Sequence, residues 1–206
     1  MIGLRRSSLP TLWTAIRLTV LLTVLLGLAY PLAVTGVGQL VFPRQANGSI
    51  VRTADGRPAG SALIGQSFTD TEGRPLPRYF QPRPSAAGNG YDARSSSGSN
   101  WGPNNDQLIA AIGRRRAEIA EFNDVPTENV PADAVTASGS GLDPDISPAY
   151  ARIQIGRVAA ARGLPEQQVA AVVEAATRRP LLGYLGQPRV NVVELNLELD
   201  RTKVRR

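Results

Sequence analysis

The residues best suited to chemistry lie in two neighbouring loops in the second half of the chain. Asp143-Pro144-Asp145 places two carboxylates two positions apart, which is how a site for a hard cation begins. A calcium site needs about six to eight oxygen ligands, and the distal glutamate of a calcium loop is missing, so turn and cap roles are favoured over a metal site. A hydrolase that uses Asp143 and Asp145 stays open as an alternative.

Ser138-Gly139-Ser140-Gly141 has the composition of a nucleophile loop or a phosphate-binding loop. The chain contains no histidine to activate a serine, and its one lysine, Lys203, is distant in the sequence. A catalytic or phosphate-cradling role for this loop is therefore disfavoured. Its backbone N–H groups are still able to bind an anion or a loop of a partner.

Composition narrows the function classes further. The 206 residues include no cysteine, which excludes a disulfide framework, a thiolate nucleophile and a sulfur-ligated metal centre. The formal charge is +6, but half of it comes from Arg5, Arg6 and Arg17, in a stretch without acidic residues. Aromatic residues make up only 5% and form no spaced stacking platform, so nucleic acid is not an expected partner. The chain is poorly equipped to catalyse a reaction by itself.

A long apolar segment precedes these loops. Residues 18–43 carry no charge, and a bilayer-spanning helix needs about 20 apolar residues, so the pattern predicts a transmembrane helix over residues 11–42. A cleaved secretory signal ending at Gly36-Val37-Gly38 is the alternative, but the apolar part of a signal usually has only about 7–15 residues. Because arginines precede the span, we expect residues 1–10 in the cytoplasm, residues 43–206 outside, and the lipid bilayer as a partner.

One row of the apolar helix differs from the rest in side-chain size. Small residues or proline recur at every fourth position, namely Ala15, Thr19, Thr23, Gly27, Pro31 and Thr35. Such a row lets a neighbouring helix approach closely, and threonine hydroxyls can bond across the contact. The spacing predicts a surface that packs against a partner helix. Simple tolerance of small residues in lipid is the alternative.

After Pro43 the composition shifts to glycine, proline, serine and asparagine, which indicates a domain with long loops. Residues 49–53 and 62–68 are predicted strands, separated by the turn sequence Asp55-Gly56-Arg57-Pro58. Residues 71–105 hold most of the remaining turn residues. Four aromatic side chains interrupt them, so we expect an ordered, packed loop and not a flexible linker.

Three helices are predicted next. The first covers residues 105–122, where apolar residues recur at helical spacing, and its three adjacent arginines 114–116 are predicted to lie on a solvated face. Cap and proline signals bound two shorter helices, at residues 147–162 and from Pro165 to a stop before Pro180. We expect these two to form a helical hairpin on a sheet. The inward residues of the first of the pair are predicted to be Ile153, Val158 and Ala161.

The last predicted element is a strand. Apolar and polar residues alternate from Val193 to Asp200, which is typical of a strand with one buried face. Together the elements predict an α+β fold, with one N-terminal transmembrane helix followed by a single soluble domain that has a small sheet and about three helices.

Many short motifs follow one another along nearly the whole chain. The first are Tyr30-Pro31, Phe42-Pro43, Gln45-Ala46-Asn47-Gly48-Ser49, Gly60-Ser61-Ala62-Leu63-Ile64-Gly65-Gln66 and Tyr79-Phe80. The later ones are Arg83-Pro84-Ser85-Ala86, Ser97-Gly98-Ser99-Asn100, Val135-Thr136-Ala137-Ser138, Gly141-Leu142-Asp143, Arg157-Val158-Ala159, Leu185-Gly186-Gln187-Pro188 and Glu194-Leu195-Asn196-Leu197. In this order they resemble the C subunit family of the bacterial Kdp-type potassium-transporting ATPase.

This resemblance implies a non-catalytic accessory subunit of an ATP-driven potassium uptake system in the bacterial cell membrane. The implied partners are an ATP-hydrolysing pump subunit, a channel-like potassium-binding subunit and a very small fourth membrane subunit. The family is described as a catalytic chaperone that raises the ATP affinity of the pump subunit, so ATP would be shared with that subunit and not firmly bound. Because a domain outside the membrane cannot reach cytoplasmic ATP, we favour assembly and stabilisation of the complex over nucleotide contact.

Polar residues in the matching motifs are the candidates for contacts that matter to function. They are Gln66, Arg83, Ser85, Asn100, Thr136, Ser138 and Asp143. Each could instead satisfy backbone groups in long loops. Two other classes stay open: a membrane-anchored hydrolase, which would turn over an ester or glycoside alone, and an external module that a small ligand would stabilise.

Overall fold

A computed structural model describes residues 8–202, which divide into two units between Ser49 and Ile50. The predicted tail at residues 1–10 lies mostly outside the described residues, and so does Lys203. Each unit has its own internal packing.

The first unit is a long apolar helix with one irregular turn. Helix α1 (Ser8–Val24) continues through a π-helical turn (Leu25–Ala29) into α2 (Tyr30–Val41), and the Tyr30 N–H donates to the Leu25 carbonyl. Pro31 follows directly. It has no N–H, and its ring would meet a carbonyl of a regular preceding turn, so a widened turn relieves the conflict.

This helix is long enough to cross a membrane. Leu9–Val41 has 33 residues, which is about 50 Å at 1.5 Å per residue and exceeds the roughly 30 Å of a bilayer core. A short helix α3 (Pro43–Ala46) closes the unit, and Asn47 Nδ2 donates to Gln39 Oε1 at 3.0 Å. The apolar helix is thus confirmed as a helix, and its span of a bilayer stays a prediction.

The second unit begins with a two-stranded antiparallel hairpin. Strand β1 (Ile50–Arg52) pairs with β2 (Pro58–Ser61) across the predicted turn. The prediction of a strand at residues 62–68 is wrong. Gly65 N in that segment donates to the Leu142 carbonyl at 2.9 Å, so the segment is held by a distant loop and not by β1.

Helix α4 (Asp106–Asn123) agrees with the predicted helix at residues 105–122. The side chain of Asn105 caps it by accepting hydrogen bonds from the N–H groups of Gln107 and Leu108 at 2.8 and 3.3 Å. A turn of 3₁₀ helix (Thr127–Asn129) and the short helix α5 (Ala132–Val135) follow.

The three arginines of α4 do not share one environment. Arg114 and Arg116 are exposed, as predicted, but Arg115 is half-buried and its guanidinium donates to the Val135 carbonyl at 3.0 Å. Arg115 therefore ties α4 to α5 and does not belong to a solvated face.

Helices α6 (Pro148–Arg162) and α7 (Glu166–Ala176) form the predicted hairpin. Ser147 Oγ caps α6 by accepting from Tyr150 N at 3.0 Å, and Gly163 ends the helix with a φ of 64°. The signals for both ends of α6 were therefore readable in the sequence.

The inward face of α6 differs from the prediction at one position. Val158 is buried and Ile153 is half-buried, but Ala161 is exposed. After the left-handed turn at Gly163 the chain folds back, and Leu164 packs against the core.

A three-stranded antiparallel sheet contacts both helices through its central strand. Its strands are β3 (Asp145–Ile146), β4 (Thr177–Arg178) and β5 (Arg189–Asn191), in the order β3-β5-β4. Ile146 and Thr177 both lie opposite Val190, which is fully buried. The small sheets and several helices make the second unit an α+β domain, as predicted.

The prediction of a strand from Val193 to Asp200 is wrong, because Val192–Arg201 forms helix α8. The side chains at 192, 193, 195, 196 and 199 are buried, which is helical spacing. Asn196 is polar although it faces inward. It separates two leucines in the sequence, which gives the helix the alternation of apolar and polar residues that is typical of a strand. The start signal was present: Asn191 Oδ1 accepts from Glu194 N at 3.0 Å and caps the helix.

The core of the second unit gathers side chains from α6, α7, α8, the sheet and the long loop. Fully buried members include Phe80, Val158, Val169, Val190, Leu195 and Leu199. Phe80 comes from the loop between β2 and α4. The prediction that this loop is ordered and packed is thereby confirmed.

Candidate functional site

Buried amide side chains hold the long loop in the core. Asn196 Nδ2 donates to the Phe80 carbonyl at 3.0 Å, and Asn196 Oδ1 accepts from Phe80 N at 2.9 Å. Gln154 binds Gln81 in the same way. Its Oε1 accepts from Gln81 N at 2.7 Å, and its Nε2 donates to the Gln81 carbonyl at 3.1 Å. The two side-chain amides supply the hydrogen bonds that a neighbouring strand would otherwise supply. The backbone groups of Phe80 and Gln81 are therefore paired although the loop enters the core.

Arg157 on α6 also holds this loop in place. Its guanidinium donates to the carbonyls of Pro77 and Tyr79 and to the side-chain oxygens of Asn123 and Gln154. Among residues 8–202 no carboxylate forms an ion pair with it. Burial lowers the pKa of Arg157 to about 10. Because its donors are used on neutral acceptors, Arg157 shapes the loop and is not a free anion site.

Five of the seven predicted polar residues meet around Arg83. Arg83 Nη1 forms an ion pair with Asp143 Oδ2 at 2.9 Å, and Nη2 donates to the Thr136 carbonyl at 3.2 Å. The two ion-paired side chains are 22% and 32% exposed, so water screens the pair only in part. Arg83 thus joins the long loop to the loop that carries both chemistry-bearing motifs.

Ser85 joins the same two loops. Its Oγ donates to the Gly141 carbonyl at 2.6 Å and accepts from the N–H groups of Ala87 and Tyr91 at 3.1 and 2.9 Å. The Tyr91 hydroxyl donates to the Arg83 carbonyl at 2.8 Å. Burial raises the pKa of Tyr91, which keeps the hydroxyl protonated and able to donate.

Ser138 belongs to this cluster through its backbone. Its N–H donates to the Pro84 carbonyl at 3.4 Å, and its carbonyl accepts from Gly141 N at 3.2 Å. The side chain is buried, and its Oγ has no hydrogen-bond partner in the described part of the chain. An enclosed hydroxyl without a neighbouring base is not arranged as a nucleophile.

The other two predicted residues lie apart from the cluster. Gln66 Nε2 donates to the Ala59 carbonyl at 2.9 Å, so this side chain holds strand β2. Asn100 is exposed and has a φ of 53°, a left-handed conformation that asparagine tolerates better than most residues. Both positions are accounted for by local backbone geometry.

The two carboxylates of Asp143-Pro144-Asp145 face different arginines. Asp145 Oδ2 pairs with Arg189 Nε at 2.9 Å, while Asp143 pairs with Arg83 and accepts from Asp145 N at 2.9 Å. Asp145 Oδ1 is buried and has no hydrogen-bond partner within residues 8–202. Burial raises the pKa of Asp145; Arg189 lowers it and the charge of Asp143 raises it further.

A cavity of about 240 Å³ lies between these loops and the sheet, and Arg83, Asp133, Asp143, Asp145, Gln187 and Arg189 line it. The sequence interpretation missed Asp133, whose carboxylate accepts from Ser147 N and Ser147 Oγ, both at 2.8 Å. Where the structure describes the chain, no group of three or more acidic side chains is placed to hold a metal ion. Donors already engage these carboxylates, so the arrangement suits the joining of loops better than hydrolysis.

The predicted row of small residues runs along α1, the π turn and α2. In a regular α-helix such a row drifts by about 40° per step, or about 200° from Ala15 to Thr35. The π turn adds one residue to a turn. This rotates the later part of the row by about 100° in the direction opposite to the drift. At Gly27 an added Cβ would meet only Thr23 Cγ2, at 3.9 Å. The row is therefore straighter than in a regular helix, and its contact with a partner stays a prediction.

The sequence did not indicate the three residues that hold the long loop, namely Gln154, Arg157 and Asn196. They lie on the buried faces of α6 and α8, where a polar residue interrupts an apolar stripe. That interruption is the signal that could have found Gln154 and Asn196. Arg157 gave no such signal, because an arginine on a helix is usually solvated.

The first unit is a helix able to cross a bilayer, and the second is an α+β domain whose polar cluster joins its own loops. The class of protein is therefore an α+β domain preceded by a long apolar helix. Residues 12–201 match the family model described as "K+-transporting ATPase, c chain". The chain therefore belongs to this family, as its motifs predicted.

Curated relatives agree with this assignment. A protein of Caulobacter vibrioides is 61% identical over 180 residues, which cover 87% of each chain. One of Xanthomonas oryzae pv. oryzae is 56% identical over 176 residues, covering 85% of this chain and 80% of the relative. One of Beijerinckia indica subsp. indica is 52% identical over 181 residues and 88% of each chain. All three are named potassium-transporting ATPase KdpC subunit.

Proposed function

We propose that this chain is a non-catalytic accessory subunit that assembles and stabilises a potassium-transporting ATPase. Its apolar helix packs among the membrane helices of its partners, and its α+β domain covers the external face of the channel-like subunit. The observation that carries this proposal is a 33-residue apolar helix joined to a domain whose candidate site consists of internal ion pairs. Such a chain can bind partners through its helix and its surface, but its candidate site has few side chains left to catalyse a reaction.

The proposed partners are an ATP-hydrolysing pump subunit, a channel-like potassium-binding subunit and a very small fourth membrane subunit. The relatives' printed name, a subunit of a potassium-transporting ATPase, supports a place in such a complex. One spanning helix is too little to build a four-loop potassium filter, so the filter belongs to a partner.

A rise in the ATP affinity of the pump subunit is, on this proposal, an indirect consequence of assembly. The serine–glycine loop at 138–141 lacks the lysine of a phosphate-binding loop, and the Ser138 hydroxyl is enclosed. The same domain is proposed to lie on the side of the membrane opposite to ATP. We therefore assign no nucleotide contact to this chain.

The proposed orientation places the N-terminus in the cytoplasm of a bacterial cell membrane. Arg5, Arg6 and Arg17 precede or begin the apolar segment, and the positive-inside rule favours their retention in the cytoplasm. Protease added to intact spheroplasts is expected to digest residues 50–206. Survival of that domain until lysis would reverse the orientation and reopen nucleotide contact.

Co-expression tests the function. We expect membranes that contain the partner subunits without this chain to lose potassium-stimulated ATP hydrolysis, because the complex does not assemble. Gly27→Leu tests the helix row, and Gly36→Leu is its matched control, since an added Cβ meets nothing closer than 3.9 Å at Gly27 and nothing within 4 Å at Gly36. We expect the first variant to lower activity at least about tenfold, as close helix packing requires, and the second to keep it. Full activity without the chain would contradict the proposal.

A further inference from the structure

Residues 180–186 form a tight hairpin whose apolar side chains point away from the core; we refer to it as the apolar hairpin. Leu181, Leu182, Tyr184 and Leu185 are 69%, 73%, 73% and 48% exposed. Four apolar side chains adjacent on one loop are unusual on the surface of a protein, and contiguous patches of a few hundred Å² mark interaction sites. None of the ion pairs or loop contacts described above uses them.

The apolar hairpin has a fixed shape. Leu181 N donates to the Leu185 carbonyl at 3.1 Å, and Leu185 N donates to the Leu181 carbonyl at 2.9 Å. Between them Leu182 has a φ of 55° and Gly183 a φ of 83°, the left-handed conformations that a tight hairpin turn requires. The closed turn therefore holds the exposed Leu182 in one position, which is preorganisation for a partner.

Both roots of the apolar hairpin are pinned by ion pairs. Arg178 on β4 pairs with Glu194 on α8, and Arg189 on β5 pairs with Asp145. Asp145 in turn lies beside the Arg83–Asp143 pair, since its N–H donates to Asp143 Oδ1 at 2.9 Å. The polar cluster therefore supports the base of an element that carries the three large apolar side chains with the highest exposed fractions in the described part of the domain.

Charge distinguishes a protein partner from a lipid surface. No acidic residue occurs between Glu174 and Glu194, so the segment is basic. Binding to anionic lipid would use these arginines as free cations. Arg178 and Arg189 are already engaged, which leaves Arg179 as the arginine of this segment without an ion pair in the described structure. A rigid apolar tip beside a single arginine that has no ion pair in the described structure fits a recess in a protein better than a lipid headgroup layer.

We propose that the apolar hairpin is the docking element of the external domain and inserts into an apolar recess, with a neutral or acidic rim, on the external face of a partner membrane subunit. This inference rests on the proposed accessory function and deepens it. The polar cluster around Arg83 and Asp145 then acts as a positioning device, because it fixes the angle at which the apolar hairpin leaves the sheet.

The absence of cysteine from the chain makes a direct test simple. Leu182→Cys is placed in the full chain, which is studied alone in nanodiscs and in the purified complex, and the labelling rate by a water-soluble maleimide is measured. Leu63→Cys is the matched control, since Leu63 is an exposed leucine, 64% accessible, on another loop. Tyr184→Cys repeats the test at a residue without a left-handed backbone.

The expected result is rapid labelling at both hairpin positions in the chain alone and a rate at least about tenfold lower in the complex, because an interface core excludes water. Leu63→Cys is expected to keep its rate. Equal rates at position 182 or 184 with and without partners overturn the inference, and so does equal protection at position 63. Protection in the chain alone also overturns it, because lipid or a second copy would then be the occupant. If the wild-type chain does not co-purify with partners at all, the proposed function itself fails.

Discussion

The charged residues of the polar cluster act mainly on one another. Arg83, Asp143, Asp145 and Arg189 form a chain of contacts from the long loop to β5, and each arginine is matched by a carboxylate. Ion pairs at this exposure contribute little to stability, so their value lies in fixing the relative position of loops. Within this chain of contacts, Asp145 is the carboxylate whose charged form is made less favourable by burial.

Asp145→Asn tests that environment. Burial raises the pKa of Asp145, so the folded state holds its proton at a pH where the unfolded state has released it. Stability from this group is therefore present below the unfolded pKa of 3.8 and is lost as pH rises through the higher folded pKa. We expect Asp145→Asn, which cannot ionise, to gain stability relative to wild type as pH rises through this window.

The measurement is urea unfolding of the full chain in detergent at several pH values from about 3.5 to 7, a range that brackets the ordinary carboxyl pKa. Fluorescence of Trp101 in a Trp13→Phe background reports on the second unit alone. Asp70→Asn is a control of opposite sign, because hydrogen bonds from Arg74 lower the pKa of Asp70. A loss of stability in Asp145→Asn that grows with pH would contradict the assigned environment.

At the scale of elements, two loops without regular structure are packed closely enough that one added methyl group matters. A Cβ at Gly65 would lie 2.3 Å from Tyr91 Cε1 and 2.8 Å from the Asp143 carbonyl oxygen. We expect Gly65→Ala to lower the free energy of unfolding by about 2 kcal/mol, as overpacking does. Gly139→Ala is the matched control on the facing loop, where an added Cβ meets nothing within 4 Å.

Chemical denaturation of both variants decides the point. The control is expected to change the free energy of unfolding by less than about 0.5 kcal/mol, as surface substitutions do. Equal stability of the two variants would show that the loops do not approach each other as closely as the structure has them.

Elements with local signals could be predicted from the sequence. The cap residues Asn105 and Ser147 and the left-handed Gly163 bound their helices where expected. Helix α8 could not be distinguished from a strand by alternation, because the buried Asn196 is polar for a reason that lies 116 positions away, at Phe80. The cap formed by Asn191 was the better signal, and alternation outweighed it.

The candidate site was predictable only in part, for the same reason. Five of the seven polar candidates do meet around Arg83, but what brings them together is pairing between loops far apart in sequence, such as Ser85 with Gly141. Spacing along a chain carries no information about such pairs. The apolar hairpin was hidden for a different reason, since nothing in its sequence says that its leucines face away from the core.

At the scale of the molecule, the chain combines an apolar rod with a domain that presents one fixed apolar hairpin. On the proposed function, the helix and the apolar hairpin are two attachments on one chain. They reinforce each other, because the second forms at high effective concentration once the first is made.

On the proposed function, the partner subunits need this chain to assemble. The most direct measurement is the amount of complex that elutes as one species from solubilised membranes of cells that make the partners with this chain, without it, or with it restored from a second plasmid. We predict that the assembled species is lost without the chain and returns on restoration. An assembled species of unchanged amount in its absence would contradict the account.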